Sequence, residues 1–432
     1  MTLISNNNIT DLDAGSAVDI ISSALYLQSV GAVGSLANYI DTEVDTIDDY
    51  TGGNVGTNLY INEYDGVNLG SLNTTTGLST TNGEIRIIGA ATSQGDLDAT
   101  KLTAGGVGKN IYLTTLNGGG GPNNIALGVV TDLGGNVYLD SNYDITNLFG
   151  TTTPNVIAKG LYLTAGRNVG GSADAQEIYT TVDTIDNLSA TQNVQGNIYI
   201  DETDDVALGT INGLTTNAGV INIDAGGTIT VGTVGSGGGY GVFLSAGGDI
   251  LGAPGGLLTG TGTSVLEADG VIGTIYNPLN VNINGILWVW TASEQDEVSV
   301  ILNGTVNSPN FTPRVEIFEP SPPGLVLLDN HLMGGGNYGS GSSNGSALSR
   351  AYSEITLAWD TMTMNSSYYN DVFPGLYDMA MPWETSKGTA KIDTDSLSGP
   401  PGIVDVSGLN LTPIQTGLIS PQENYLIITS PR

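Results

Sequence analysis

The chain has 432 residues, of which 63 are Gly and none is Cys, and it sets 43 Asp plus Glu against ten Lys plus Arg, for a formal net charge of -33. Without cysteine there is no disulfide scaffold, no Cys-ligated zinc site and no thiol nucleophile. With so few Lys and Arg there is no surface for gripping nucleic-acid phosphates or anionic lipid.

Gly, Asn and Thr at this level would suggest disorder, yet 39% of residues are hydrophobic. They are gathered into short strand-like runs, so the chain can bury a core if each strand is short and each corner tight. Residues 1–20 carry neither a basic nor an apolar stretch and do not read as a signal peptide. The chain therefore reads either as a mature or internal piece of a secreted protein or as one that is not secreted. No apolar run approaches the ~20 residues of a membrane-spanning helix.

The first recognisable unit, Leu25-Tyr26-Leu27, returns as Leu161-Tyr162-Leu163. Val44-Asp45-Thr46-Ile47-Asp48 returns as Val182-Asp183-Thr184-Ile185-Asp186, and Leu59-Tyr60-Ile61-Asn62-Glu63 as Ile198-Tyr199-Ile200-Asp201-Glu202. The offset is nearly the same for every pair, which marks a duplicated block with small changes in its corners. A finer repeat ends each short strand in Ala-Gly or a close variant: Leu102 to Gly108, Leu163 to Gly170, Ile223 to Ile229, Leu244 to Ile250 and Leu266 to Gly273. The last three begin at 223, 244 and 266, so the period there is almost constant.

Strands of four to six residues with alternating apolar positions bury one face only. About three fit into a turn of this length, and stacking the turns at ~4.8 Å fills a continuous interior. The expectation is an all-β chain, a right-handed parallel β-helix of about 21–26 residues per turn over residues 1–286. Gly, Asn and Asp serve the corners, and Tyr in the middle of the strands points outward, where ladders of Tyr, Thr and Asn hold register. A β-sandwich or propeller fits less well, because the period is short and Asn-Gly hairpin turns are scarce. A leucine-rich repeat lacks its helical half.

From Ile286-Leu287-Trp288-Val289-Trp290 the texture changes, and all four Trp and the only His lie in this last third. Residues 287–432 are expected to form a distinct capping or assembly region, with a flexible Gly/Ser/Asn loop near 334–346. One short helix is expected after Ser346 as N-cap, from the spacing of Leu348, Ala351, Tyr352, Ile355 and Trp359.

The unit Leu-Thr-Ala-Gly-Gly-x-Val-Gly, with the run Thr274-Ile275-Tyr276-Asn277-Pro278-Leu279-Asn280-Val281, resembles the repeats of filamentous-haemagglutinin-like bacterial adhesins. The resemblance spans roughly residues 20–286. The segment Pro323 to Asn330 is more loosely similar to the C-terminal region of some long members. It implies a secreted β-helix passenger, exported through an outer-membrane partner, that acts in adhesion, biofilm or contact between cells. The secretion domain that family carries at its N-terminus is not found here.

Other β-helices are carbohydrate-active enzymes, which need clustered acids with a basic residue or His. The repeat region holds only Arg86, Arg167, Lys101, Lys109 and Lys159, with no two set as a cleft pair, and His331 lies outside it. Two acidic patches stand out, Asp41 to Asp45 and Asp201 to Asp205. Their recurrence along the array suits solvated corners better than a single active site. As metal ligands the candidates are Asp201, Glu202, Asp204 and Asp205, for Ca²⁺, which takes carboxylate oxygens.

The expectation for function is an extracellular or cell-surface structural or adhesive β-solenoid without catalytic residues or a resident cofactor. Its partners would be further copies of itself in filaments, or a surface or glycan receptor, with no nucleic acid and no membrane insertion. The alternative is a carbohydrate-active enzyme or a phage-tailspike-like glycan binder.

Overall fold

The turn that begins at Ile198 contains three strands, Ile198–Glu202, Val206–Leu208 and Leu214–Thr216, before the chain returns one level up at Ile221–Ala225. Along the first strand Ile198 and Ile200 point inward and are fully buried, while Tyr199 and Asp201 face outward. This period-2 alternation is what a sheet buried on one face requires.

The computed structural model describes residues 1–292 and 298–302, less the segments 13–16, 52, 73–75, 90–94, 118–120, 151–152 and 275–276, together with the strands Arg314–Phe318, Val326–Asp329 and Leu426–Thr429. They fall into two units, 1–319 with 429–432, and 320–428. The first unit is a parallel β-solenoid of about 12 turns. In the second, the described elements are Val326–Asp329 and all but the last residue of Leu426–Thr429. The helix expected after Ser346 and the loop expected at 334–346 lie outside the described residues.

The core is a set of columns running along the solenoid. Leu59, Ile85, Ile111 and Val137 stack in register at equal steps along the chain, followed by Leu161 and Ile185 at slightly shorter ones. All six are fully buried. A second column, Ile198, Ile221 and Val242, closes up a little further. Individual steps range more widely than the repeat suggests: the step from Ile125 to Ile145 is short, and that from Leu69 to Ala99 is half as long again. Most strand pairs hold one register while the corners absorb the difference, and two pairings take up part of it in irregularities between Asp132 and Asn136 and between Val231 and Thr233.

The ladder runs on past residue 286, where the sequence reading placed its end. Ile286–Thr291 pairs in parallel with Ser264–Ala268 on one side and with Arg314–Phe318 on the other, and Ser299–Leu302 pairs with Leu279–Ile283. Composition changes there but alternation does not. Leu287 and Val289 remain buried, while Trp288 and Trp290 take outward positions above Val265 and Glu267.

Two kinds of glycine shape the corners. Those of the Ala-Gly units are needed for close approach between turns: a Cβ on Gly247 would sit 2.5 Å from the carbonyl oxygen of Gly226. The preceding alanines, Ala225, Ala246 and Ala268, stack inward in one column. Gly209 is of the other kind. It has φ +62, and a Cβ there would lie 2.1 Å from the Thr233 carbonyl oxygen. Gly209→Ala is therefore expected to cost roughly 2–4 kcal/mol, from left-handed strain plus a backbone clash, read as a lower urea midpoint.

Where strands begin, Asn and Asp tie each turn to the next. The N–H of Asn124 donates to Asp96 Oδ1 (2.9 Å), that of Asp144 to Asn124 Oδ1 (3.1 Å), and that of Asn168 to Asp144 Oδ1 (2.9 Å). The N–H of Asn197 donates to Asn168 Oδ1 (3.0 Å), and that of Val220 to Asn197 Oδ1 (2.9 Å). Five consecutive steps thus satisfy amides that strand pairing leaves over at a corner.

The two copies of the duplicated block do not fall in the same columns. Tyr60 stands in the outward column Tyr60, Arg86, Tyr112, Tyr138, Tyr162. Its counterpart Tyr199 stands in another, Tyr199, Asn222, Phe243, Val265, Trp288.

Candidate functional site

The acidic patch 201–205 separates on folding. Asp201 faces outward in register with Asp224, and Asp204 and Asp205 stand at an exposed corner. Asp205 Oδ1 accepts the N–H of Thr228 at 2.6 Å, another step of Asx-to-backbone capping. Glu202 turns inward and is 1% exposed, because it shares the parity of Ile198 and Ile200 and lies in the column of Ala225. The structure gives these four carboxylates separate tasks.

Glu202 and its duplicate Glu63 each build the same buried hub. Glu202 accepts the hydroxyl of Thr180 at Oε2 (2.6 Å), the N–H of Val182 (3.1 Å to Oε2) and the N–H of Thr203 at Oε1 (2.9 Å). Glu63 accepts the hydroxyl of Thr42 and the N–H groups of Val44 and Tyr64, each of these at 3.1 Å. Burial pushes both carboxyls up to about 7 against the pull of these donors. Asp65 and Asp204 stand beside them and favour the proton-bearing form.

A second duplicated device holds a loop. Asp186 Oδ1 accepts three successive backbone N–H groups, from Ile211 (3.1 Å), Asn212 (2.8 Å) and Gly213 (3.1 Å). In the other copy Asp48 Oδ2 accepts the N–H of Leu72 at 2.7 Å. The next position separates the copies. Asn187 donates to Thr215 Oγ1 (2.7 Å) and accepts the Thr215 N–H (3.3 Å). Its counterpart Asp49, 1% exposed, accepts the Ser79 hydroxyl at Oδ2 (2.5 Å) and leaves Oδ1 without a hydrogen bond.

Burial raises the Asp49 carboxyl to about 7, and neighbouring Asp48 adds to the rise. Asp49→Asn should therefore stabilise the protein at pH 8 by about 1–2 kcal/mol, since it removes a buried charge where the other copy shows that an amide fits. Urea midpoints of the two forms check this, and a fall in midpoint would contradict it.

Among the described residues, Asp11, Asp19 and Asp41 bring one carboxylate oxygen each within 4.8 Å of one another. Asp19 Oδ2 already accepts the Asp41 N–H (3.1 Å), and Asp41 Oδ1 the Asn62 amide (2.5 Å). Three carboxylates at this spacing are oxygen ligands of the type Ca²⁺ takes. Asp41 belongs to a patch visible in the sequence. Asp19 escapes notice there, although it precedes Asp41 by one turn of the repeat.

The outward column of the first half is an aromatic row. Tyr112 and Tyr138 stack with centroids 4.6 Å apart and planes within 6°, and Tyr138 and Tyr162 stack at 4.8 Å and 14°. The Arg86 guanidinium lies 3.6 Å from the Tyr112 ring centroid and is paired with Glu84 at 3.0 Å. Glu84 also accepts the hydroxyl of Tyr60 at 2.6 Å. Arg167 repeats the arrangement elsewhere, 4.2 Å from the Tyr143 centroid and 3.5 Å from Asp144. Arg86 and Arg167 therefore both sit on tyrosine rings beside an acid.

No protein-family model, no curated protein and no solved structure matches the chain.

Proposed function

We propose that this chain is an extracellular structural or adhesive β-solenoid, a non-catalytic rod of the filamentous-haemagglutinin-like kind that makes contacts at cell surfaces or within filaments. The observation that carries the reading is the ordering of its polar groups. Asn and Asp tie turn to turn over five steps, and Tyr and Arg line up in one outward row. Such rows suit an extended contact surface, whereas an active site gathers unlike groups at one point.

Adhesion of the labelled chain to bacterial and host cells, with negative-stain microscopy for filaments, tests this reading. Monodisperse rods that adhere to no cell and form no filament at high concentration would overturn it. The second reading, a glycan-acting β-helix, is favoured by the aromatic row alone. Depolymerisation of a glycan that is abolished by Asp204→Asn or Asp205→Asn would establish it instead.

A further inference from the structure

We propose that the outward strip formed by Arg86, Tyr112, Tyr138, Thr114 and Asp140 is a contact surface for a neutral, extended polysaccharide lying along the solenoid axis. The proposal rests on the adhesive reading and names the chemistry of the ligand.

Spacing is the first argument. The stacked tyrosines repeat at 4.6 and 4.8 Å, close to the advance of one sugar ring in an extended chain, so one chain meets an equivalent group on every turn. The orientation of the hydroxyls is the second. Tyr112 Oη accepts the Asn110 amide (3.0 Å) and Tyr138 Oη accepts the Asn136 amide (3.3 Å). With those lone pairs engaged, each phenol proton is left to donate to a ligand oxygen. The ring faces are covered by one another and by Arg86, which holds the hydroxyl edges in place before anything binds.

Acceptors stand alongside. Thr114 and Asp140 are partners in register two positions beyond Tyr112 and Tyr138, on the same outward side, and all four are half-buried. A carboxylate and a hydroxyl beside a row of phenols match the mixed donors and acceptors of a polyol chain.

Charge selects the class. Arg86 is neutralised by Glu84, Asp140 adds a negative charge, and the whole chain carries -33. A uronate or sulfated polymer is repelled by such a surface, and a neutral glucan or mannan is not.

Affinity electrophoresis of the full chain in gels containing hydroxyethylcellulose, a soluble mixed-linkage β-glucan, a mannan or polygalacturonate tests the strip. Retardation by at least one neutral polymer and none by polygalacturonate is expected. The double substitution Tyr112→Phe/Tyr138→Phe keeps the ring stack but removes both hydroxyls. It should weaken retardation about ten- to hundredfold at unchanged Tm. Asp140→Asn is a second variant with the same expected direction.

The proposal is overturned if no neutral polymer retards the wild-type chain, if polygalacturonate retards it equally, or if the double Phe variant binds as wild type does. Cell adhesion measured on the same proteins separates the two readings. Adhesion that persists without any glucan binding leaves the rod an adhesin and removes the strip, whereas loss of all adhesion strikes the broader reading.

Discussion

Glu202→Ala is expected to lower stability by roughly 3–5 kcal/mol, among the largest effects of any single substitution in the solenoid. The carboxyl is 1% exposed and serves the Thr180 hydroxyl and the N–H groups of Val182 and Thr203. Truncation leaves the Val182 N–H without the carboxylate and the Thr180 hydroxyl with only the Asp201 carbonyl oxygen at 3.5 Å, at about 1–3 kcal/mol for each group so deprived, and adds a cavity, while the Thr203 N–H keeps the Thr180 carbonyl oxygen at 3.0 Å. Glu202→Gln keeps an acceptor oxygen and should lose less than half as much. Because the duplicate hub has the same donors from Thr42, Val44 and Tyr64, Glu63→Ala should behave alike. Chemical denaturation gives the size of the effect, and hydrogen exchange at the Val182 amide gives its location. Full protection of that amide in the alanine variant would show that the hub is dispensable.

Stability should also fall as pH rises from about 4 to about 7. Burial raises Glu63, Glu202 and Asp49 to about 7 and Asp132 to about 6. In the unfolded chain these groups release their protons at ordinary carboxylate values, near 4. Between those limits the folded chain holds protons that the unfolded chain has lost, so each rise in pH favours unfolding. The stabilisation is complete below about pH 4 and gone once pH passes the folded values, on the order of 1–3 kcal/mol for each group. Repulsion within a chain of net charge -33 acts in the same direction. Thermal unfolding at pH 5.5 and pH 8 tests this, with the higher Tm expected at pH 5.5. A variant carrying Glu63→Gln, Glu202→Gln, Asp49→Asn and Asp132→Asn should flatten the profile, and equal or greater wild-type stability at pH 8 would refute the account.

Strand parity, the Ala-Gly corners and the duplicated block were legible in the sequence, because each is a local pattern that stacking repeats. The outward tyrosines were legible for the same reason, since Tyr112, Tyr138 and Tyr162 each sit between two buried aliphatic residues. What escaped depends on how turns meet. Glu202 reads as part of a solvated acidic corner until its parity with Ile200 and its alignment with Ala225 are noticed. Asp19 and Asp41 lie a full turn apart along the chain and become neighbours only through the stack. The end at 286 was misplaced because composition shifts there from Gly and Asn to Trp while the inward Leu287 and Val289 keep the alternation going. The Asx ladder was foreseen as a type of residue but not as a chain of bonds, since corner lengths alone do not say which Asn lies above which.

The offset between the two copies of the block has a geometric consequence. Tyr60 and Tyr199 are equivalent in sequence yet stand in different columns. Duplication therefore acted as a screw, advancing the pattern along the rod while turning it about the axis. A solenoid lengthened this way sets the same motif on more than one of its sides.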